Sequence, residues 1–418
     1  MVKIYIETYG CAVNQSDSEL MAGILKDEGH EIINETKEAE LIIINTCTVK
    51  NSAESKLYRA LKKYEDKKII IAGCIPQAEK SLIDNELKDY SVIGIKQMIN
   101  APLVVEETLK GNKIVILDRT DNKRLNLPKI RQNSTVEIIP INEGCVGSCN
   151  YCKTKHARGN IKSYFEKDII LQAKEAIKEG VKQIWLTSQE KGDYGLNNER
   201  NIIKLLDELL KIEGEFRVRL GMINPEHAKK YIKDLIRIMN DKNMFKFIHI
   251  PIQSGSNKVI KEMNRNYTRE DFQGIVEELR KNVKGVRIAT DIIVGYPTET
   301  DEDFEETYNL IEKLKIEVVN MSKYWKRLNT PAAKLHPLPT KEVKERSIRI
   351  KKLFEDQARK EKEKYVGKEI EILTEDKKKG QVFARTNNYI IAILEEKEHV
   401  GIFKKLKVKK TDKWNLFF

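Results

Sequence analysis

Three cysteines of the 418-residue chain fall at the spacing C-x3-C-x2-C: Cys145, Cys149 and Cys152, with Tyr151 just before the last. Three thiolates this close together can wrap one face of a cubane iron–sulfur cluster and leave its fourth iron without a protein ligand. An open coordination position is what a catalytic metal centre keeps and a structural one closes. The alternatives are a structural zinc site or plain buried thiols. Zinc usually takes four ligands in two pairs, and His156 is the only local candidate for a fourth.

The other three cysteines each end a hydrophobic run. Ile4-Tyr5-Ile6-Glu7-Thr8-Tyr9-Gly10 leads to Cys11, Leu41-Ile42-Ile43-Ile44-Asn45-Thr46 to Cys47, and Ile69-Ile70-Ile71-Ala72-Gly73 to Cys74. Continuous Ile-rich runs are the pattern of strands buried on both faces of a parallel sheet. Helical stretches between them, Ser16 to Asp27 and Ser52 to Tyr64, complete a β-α-β-α-β alternation and hence an open parallel sheet. All strands of such a sheet point one way, and ligands bind beyond their carboxyl ends. Cys11, Cys47 and Cys74 should therefore meet on one edge as a second three-thiolate set. A single cysteine after a strand is usually a small buried hydrophobe; three of three is hard to explain by packing.

The elements that must position these residues divide the chain into four parts. Residues 1–130 form the α/β domain just described, with the charged segment Asp118–Asn133 reading as a linker. Over 134–340, strands expected at Val136–Ile141, Gln183–Thr187, Phe216–Met222, Lys246–Ile252, Val286–Val294 and Val318–Tyr324 alternate with helices such as Lys167–Glu179, Ala228–Asn240 and Asp301–Leu314. Six β-α repeats imply an incomplete barrel, open on one side, with the C-x3-C-x2-C loop after its first strand. Gln189 follows the second strand and Gln253 the fourth, while Tyr324 and Arg327 close the sixth. Asp291 lies inside an otherwise apolar strand, where a carboxylate needs a partner, functional or structural. Residues 341–364 read as a charged linking helix. Residues 365–418, with short β-like runs between Gly and Asn turns, read as a small antiparallel barrel.

Composition narrows the partners. The net charge is +12, and residues 341–418 hold 22 Lys+Arg against 14 Asp+Glu, so most of the excess sits in the last fifth of the chain. The run Lys404-Lys405-Leu406-Lys407-Val408-Lys409-Lys410 is a candidate phosphate-binding surface, or else a set of edge-strand lysines that blocks aggregation. Six cysteines without a secretion signal point to a reducing cytoplasm and to metal or redox chemistry. No apolar run approaches the roughly 20 residues needed to span a bilayer, so no membrane contact is expected.

Together these features resemble one family. The C-x3-C-x2-C loop with Tyr151 resembles the signature of the radical S-adenosylmethionine (SAM) superfamily. The order of three-cysteine α/β domain, barrel and small β-module is similar, over nearly the whole chain, to the methylthiotransferases, whose last domain is the RNA-binding TRAM module. Tyr151-Cys152-Lys153-Thr154-Lys155-His156-Ala157-Arg158-Gly159 resembles the archaeal and eukaryotic branch acting on tRNA that carries N6-threonylcarbamoyladenosine. Asn45-Thr46-Cys47, Ile184-Trp185-Leu186-Thr187-Ser188-Gln189, His249-Ile250-Pro251-Ile252-Gln253-Ser254-Gly255 and Thr330-Pro331-Ala332-Ala333-Lys334 also match the family. The family usually has Asp-Thr where Glu190-Lys191 stand, Gly at Thr298, and Pro-Gly at Leu328-Asn329; all six cysteines are kept.

The resemblance implies two 4Fe–4S clusters. One, on Cys145, Cys149 and Cys152, would bind and cleave SAM; the other, on Cys11, Cys47 and Cys74, would carry or supply sulfur. It further implies Tyr151 near the SAM adenine, with Arg158, Gln189, Gln253 and Asp291 as other SAM contacts. The implied activity is conversion of N6-threonylcarbamoyladenosine, at position 37 of tRNAs reading ANN codons, to its 2-methylthio derivative. The implied partners are tRNA, not DNA, and an electron donor of flavodoxin or ferredoxin type. Eukaryotic relatives end in a membrane anchor that has no counterpart before Phe418, so a soluble cytoplasmic enzyme is expected. Competing readings are a methylthiotransferase for isopentenyladenosine tRNA or for a ribosomal-protein aspartate, and a non-catalytic iron–sulfur RNA-binding protein. The lysine-rich end and the Cys152–Gly159 stretch speak against the protein target, and the intact barrel cysteines against the last.

Overall fold

The computed structural model describes residues 1–48, 52–120, 122–196, 200–378, 380–394 and 399–418. Its first sheet contains β1 (Lys3–Thr8), β2 (Glu31–Ile32), β3 (Leu41–Thr46), β4 (Lys68–Gly73), β5 (Ser91–Gly94) and β6 (Val115–Ile116), all paired in parallel in the order β2-β1-β3-β4-β5-β6. The isoleucine runs form its centre because β-branched side chains fill both faces of a pleated sheet. Ile42, Ile44, Ile69 and Ile71 pack into one core, and Ile4, Leu41, Ile43 and Ile70 into the other. The chain leaves β1 for β2 on one side and returns to β3 on the other. Such a reversal opens a crevice at the carboxyl ends, and Cys11 and Cys47 follow the two strands that flank it. The next helix runs Ala12–Asp27, beginning earlier than its sequence pattern indicates, with Cys11 at its N-cap.

The second unit is a half barrel. β7 (Val136–Pro140) leads to a short antiparallel ribbon of β8 (Asn142–Glu143) and β9 (Lys162–Ser163), then to β10 (Gln183–Thr187), β11 (Arg217–Arg219), β12 (Phe247–His249), β13 (Arg287–Val294) and β14 (Val318–Lys323). β7, β10 and β11 pair in parallel, as do β12, β13 and β14, and bridges Val218–Met244 and Met222–His249 join the two sets. Among the described residues β7 and β14 do not pair, so the barrel has an open seam. The helix expected at 228–240 is two, Pro225–Lys230 and Ile232–Met239, and the helix Asn257–Glu262 was not legible in the sequence.

After the helix Thr340–Glu363 come β15 (Glu369–Lys378), β16 (Gln381–Thr386), β17 (Ile391–Leu394), β18 (Phe403–Lys407), β19 (Lys410–Thr411) and β20 (Asn415–Phe417), in the order β18-β15-β16-β17-β20-β19. The pairs are antiparallel except β17–β20, so the module is mixed. It docks on the amino ends of the barrel strands. Gln183 Nε2 donates to Glu375 Oε2 at 2.8 Å, Arg217 Nη2 to Glu371 Oε2 at 2.8 Å, and the Lys246 amide to Asn387 O at 2.8 Å. Tyr389 enters the barrel mouth, stacked on Phe247 at 4.9 Å and edge-on to Phe245 at 4.9 Å. Among the described residues no helix is long and apolar enough to cross a membrane.

The segment expected as a linker carries no helix or strand among its described residues (Asp121 lies outside them), yet it is tightly held. A Cβ on Gly23 would lie 2.3 Å from the Pro128 and Lys129 backbone, so the segment runs directly across helix Ala12–Asp27. Arg124 from this segment joins Arg158, Asp17 and Glu143 in a buried set of two cations and two anions, each side chain at most 5% exposed. Arg158 Nη2 lies 2.8 Å from Asp17 Oδ2, and Arg124 pairs with both Asp17 and Glu143.

Removing one member of a buried ion set strands a charge at a cost of about 3–5 kcal/mol. Asp17→Asn should lower the unfolding free energy by that order, and adding Arg158→Met should restore part of it; urea unfolding of all four proteins of the cycle measures the coupling. A second expectation concerns Asp303, whose carboxylate accepts from Ser256 Oγ at 2.6 Å, Lys258 Nζ at 2.8 Å and the Thr300 amide at 2.9 Å. Burial opposes its charge, yet these partners hold it at about 2, below the ordinary 3.8. Its stabilisation is therefore complete above about pH 4 and lost as pH falls towards 2. Asp303→Ala should cost about 1 kcal/mol at pH 7 in urea unfolding, with the difference shrinking at low pH.

Candidate active site

The C-x3-C-x2-C loop is fixed along its length. Gly144 has φ +72°, and a Cβ there would meet Asn160 O at 2.0 Å, so only glycine serves. The Cys145 amide donates to Gly159 O at 3.3 Å, the Val146 amide to Asp193 Oδ2 at 3.1 Å, and Lys155 Nζ to Val146 O at 3.3 Å. Asn150 Nδ2 donates to Glu262 O at 2.7 Å, and Asn264 Nδ2 to Ser148 O at 2.8 Å. Gly147 leaves a cradle between sulfurs: a Cβ there would stand 3.2 Å from Cys145 Sγ and 3.8 Å from Cys149 Sγ. Its amide also donates to Cys145 Sγ at 3.2 Å.

Burial pushes the Cys145 thiol up to about 12, and the nearby Asp193 adds to the rise. Burial also raises Cys149, but Arg265 works against it, donating from Nη1 to Cys149 Sγ at 2.8 Å. Thiols so placed become thiolates when a metal centre supplies positive charge. Among the described residues no three His, Cys, Asp or Glu side chains stand close enough to hold a single metal ion, and His156 is exposed. Cys145 Sγ and Cys149 Sγ stand on either side of Gly147, and three thiolates at the C-x3-C-x2-C spacing suit one face of an iron–sulfur cubane.

Cys11, Cys47 and Cys74 follow β1, β3 and β4 to the carboxyl edge of the first sheet. Asn14 links them: Cys11 Sγ donates to its Oδ1 at 3.4 Å, while its Nδ2 donates to Thr46 O at 2.9 Å and faces Cys74 Sγ at 3.9 Å. The helix Cys74–Ala78 packs on the helix Thr154–Arg158, and Lys153 pairs with Glu79 across the same contact. Three basic residues lie near these cysteines. Lys191 is close enough to feel the charge of Cys11, Arg158 that of Cys11 and Cys74, and Arg327 that of Cys47 and Cys152.

The other expected site residues lie in the barrel unit. Tyr151 packs on Val259, Met263, Tyr296 and Ala332. Gln189 keeps a buried Oε1 with no hydrogen-bond partner among the described residues. Gln253 adopts φ +70°, uncommon for a non-glycine residue, held because its amide donates to Asp291 O at 2.8 Å and its carbonyl accepts from the Ile293 amide at 2.9 Å. Asp291 Oδ1 accepts from Asn320 Nδ2 at 3.0 Å and lies 2.9 Å from His249 Nε2, so its partners are on β12 and β14. Arg158 is engaged with Asp17 at the junction of the two units, beside Cys11 and Cys74.

Sequence reasoning missed Arg265 and Asp193. Arg265 donates from Nη1 to Cys149 Sγ, lies with its guanidinium 5.0 Å from the Tyr267 ring, and pairs with Asn224. Asp193 bridges the Val146 amide and His227 Nε2, the latter at 3.0 Å. Both contacts join residues far apart in sequence, and no local motif marks them. At the carboxyl end, Lys405 and Lys407 of β18 stand opposite Glu371 and Glu369 of β15, which offsets part of the positive charge expected on that strand.

Comparison with known proteins agrees with this architecture. Residues 3–94 match the Uncharacterized protein family UPF0004, residues 139–311 the Radical SAM superfamily, and residues 363–417 the TRAM domain. The chain is 42% identical over 400 residues to the probable threonylcarbamoyladenosine tRNA methylthiotransferase of Pyrococcus abyssi, covering 94% of each chain. It is 43% identical over 363 residues to the human threonylcarbamoyladenosine tRNA methylthiotransferase, covering 84% of this chain and 62% of that one. Among solved structures it resembles the radical S-adenosylmethionine methyltransferase TsrM from Kitasatospora setae, with TM-score 0.56, 13% identity and 79% and 77% of the two chains covered; that likeness concerns the fold alone. On its sequence identity over nearly the full length, and on the order of its three matched regions, the chain belongs to the threonylcarbamoyladenosine tRNA methylthiotransferase family of radical SAM proteins.

Proposed function

We propose that this protein converts N6-threonylcarbamoyladenosine at position 37 of tRNAs reading ANN codons to the 2-methylthio derivative. What supports the reading is the packing of helix Cys74–Ala78, which opens with a cysteine of the first set, on helix Thr154–Arg158, which follows the second set directly. Adenine C2–H has no acidic proton, so acid–base groups alone cannot functionalise it and the hard chemistry falls to cofactors. With an iron–sulfur cluster on Cys145, Cys149 and Cys152, SAM and an electron donor of flavodoxin or ferredoxin type, the site gains hydrogen abstraction from an unactivated C–H. Cys11, Cys47 and Cys74 would hold a second cluster beside it as the place of sulfur delivery.

The protein's own residues bind, orient and shield. Arg265 holds a positive charge at Cys149 Sγ, and the Gly147 amide donates to Cys145 Sγ, so two donors offset thiolate charge in a half-buried loop. Tyr151, Gln189 and Gln253 are proposed as SAM contacts. Gln189 contributes its unpaired Oε1, and Gln253 a backbone set by β13. Asp291 is held by His249 and Asn320 and would order the wall next to Gln253. Arg158 is proposed to keep the two triads in register, since its guanidinium reaches both Asp17 and Cys74. The threonylcarbamoyl carboxylate would face the basic residues Lys191 and Arg327. The TRAM module would hold tRNA phosphates, giving a cytoplasmic tRNA-modifying enzyme whose RNA affinity falls with salt.

The test is expression in a host that makes threonylcarbamoyladenosine tRNA but lacks this activity, followed by nucleoside mass spectrometry. A new 2-methylthio-N6-threonylcarbamoyladenosine peak is expected, absent with Cys149→Ala and with Cys47→Ala. No peak from a wild-type protein carrying iron and sulfide for two clusters would overturn the substrate assignment and leave isopentenyladenosine tRNA and the ribosomal-protein target to be tried.

A further inference from the structure

β14 is the edge strand at the open seam of the half barrel, and the chain beyond it forms the rim of the site. From Val318 to Lys341 the sequence has no Asp or Glu, while Lys323, Lys326, Arg327, Lys334 and Lys341 carry positive charge. Tyr324 turns inwards, its ring edge-on to Tyr296 at 5.6 Å. The next residue, Trp325, turns out and is 51% exposed between exposed Lys323 and Lys326. The loop is anchored to the cysteine loop: the Ala332 amide donates to Asn150 O at 2.9 Å, and Thr330 Oγ1 donates to Arg327 O at 2.7 Å. Arg327, two residues beyond the indole, lies near Glu54 of the first domain and near Cys47 and Cys152. An aromatic face presented among cations, with no carboxylate nearby in sequence, is the composition that binds single-stranded nucleic acid by stacking plus phosphate contact.

We propose that Trp325 is a stacking platform for an unpaired base of the anticodon loop next to the target adenosine, with Lys323 and Lys326 on the flanking phosphates. The inference rests on the tRNA reading above and adds to it the element that seats the loop at the seam. Stacking uses the π-face common to all bases, so the contact would serve several tRNAs of different loop sequence.

The experiment uses the full-length, cluster-loaded protein and a fluorescently labelled anticodon stem–loop RNA carrying threonylcarbamoyladenosine, with affinity read by anisotropy. Trp325→Ala is expected to weaken binding about tenfold, the loss of one base–aromatic stack, while Trp325→Phe keeps most of the affinity. Lys323→Ala/Lys326→Ala should weaken binding and flatten its salt dependence, which Trp325→Ala should leave unchanged. Iron content and melting temperature of each variant report that the fold is intact. Wild-type affinity in Trp325→Ala overturns the proposal, as does a loss that Trp325→Phe shares in full. The two readings separate in the outcome: if wild type binds the stem–loop with this pattern but forms no methylthio product, the platform stands and the reaction assignment falls. If wild type modifies the tRNA and Trp325→Ala binds normally, only the platform falls.

Discussion

Four charges buried beneath the cysteine loops are the constraint on which the site depends. Each ion taken out of water costs several kcal/mol unless its partners are held in place, so Asp17, Glu143, Arg124 and Arg158 tolerate little relative movement. Their positions along the chain give this a consequence. Asp17 lies in the helix that begins after Cys11, Glu143 stands two residues before Cys145, and Arg158 ends the short helix after Cys152. Holding the charges together therefore holds both cysteine sets in register across the domain boundary. Arg124 adds the connecting segment to the same lock, which is why a stretch with linker composition lies fixed across helix Ala12–Asp27.

Much of this architecture is legible in the sequence where its cause is local. Isoleucine runs declare strands buried on both faces, and a cysteine directly after such a run must lie at the carboxyl edge. The half barrel follows from alternating periods in the same way. What the sequence does not show are contacts made across long separations. Arg265 reaches Cys149, and Asp193 reaches Val146, through geometry created only when the strands are closed. Arg158 illustrates a subtler limit. Its place in the Cys152–Gly159 stretch marks it as important, but not which side of the loop its side chain takes; the structure directs it to Asp17. The helix break at Tyr231 is likewise invisible in an amphipathic pattern that continues through it.

The positions that depart from the family pattern gain meaning from their surroundings. Glu190 is buried, its Oε1 accepting from the Gly192 amide at 2.8 Å and its Oε2 from the Asn224 amide at 3.0 Å, so it ties the tips of two barrel strands together. Burial favours its protonated form. Lys191 is buried beside it, donating from Nζ to Ser188 O at 3.0 Å, and burial lowers it to about 8, which leaves it charged at neutral pH. A buried carboxyl and a buried ammonium group thus stand where the family resemblance implies Asp and Thr. Thr298 bonds Glu262, the residue whose carbonyl receives Asn150, so that change bears on the cysteine loop at one remove. Asn329 takes φ +66°, a conformation asparagine tolerates better than most side chains, so the loop keeps its turn without glycine.

The placement of the carboxyl-terminal module constrains how RNA can be held. Its hydrogen bonds to the barrel, through Glu371, Glu375 and Asn387, meet the start of the strands, whereas both cysteine sets lie beyond strand ends. β13 alone has eight residues, about 26 Å at a strand's rise per residue. A tRNA gripped by the module and modified at the cysteines must therefore cross the barrel's height, and the module cannot itself seat the reacting base. Its β18 lysines, opposed by Glu369 and Glu371, suit a modest and adaptable grip on the backbone rather than a specific one. Under the proposed function, selection of the base would fall to the carboxyl rim, where the stretch beyond β14 that has no Asp or Glu in its sequence borders the open seam. The proposed division, a non-specific hold at one end and selection at the other, would rest on the strand polarity that also gathers the cysteines.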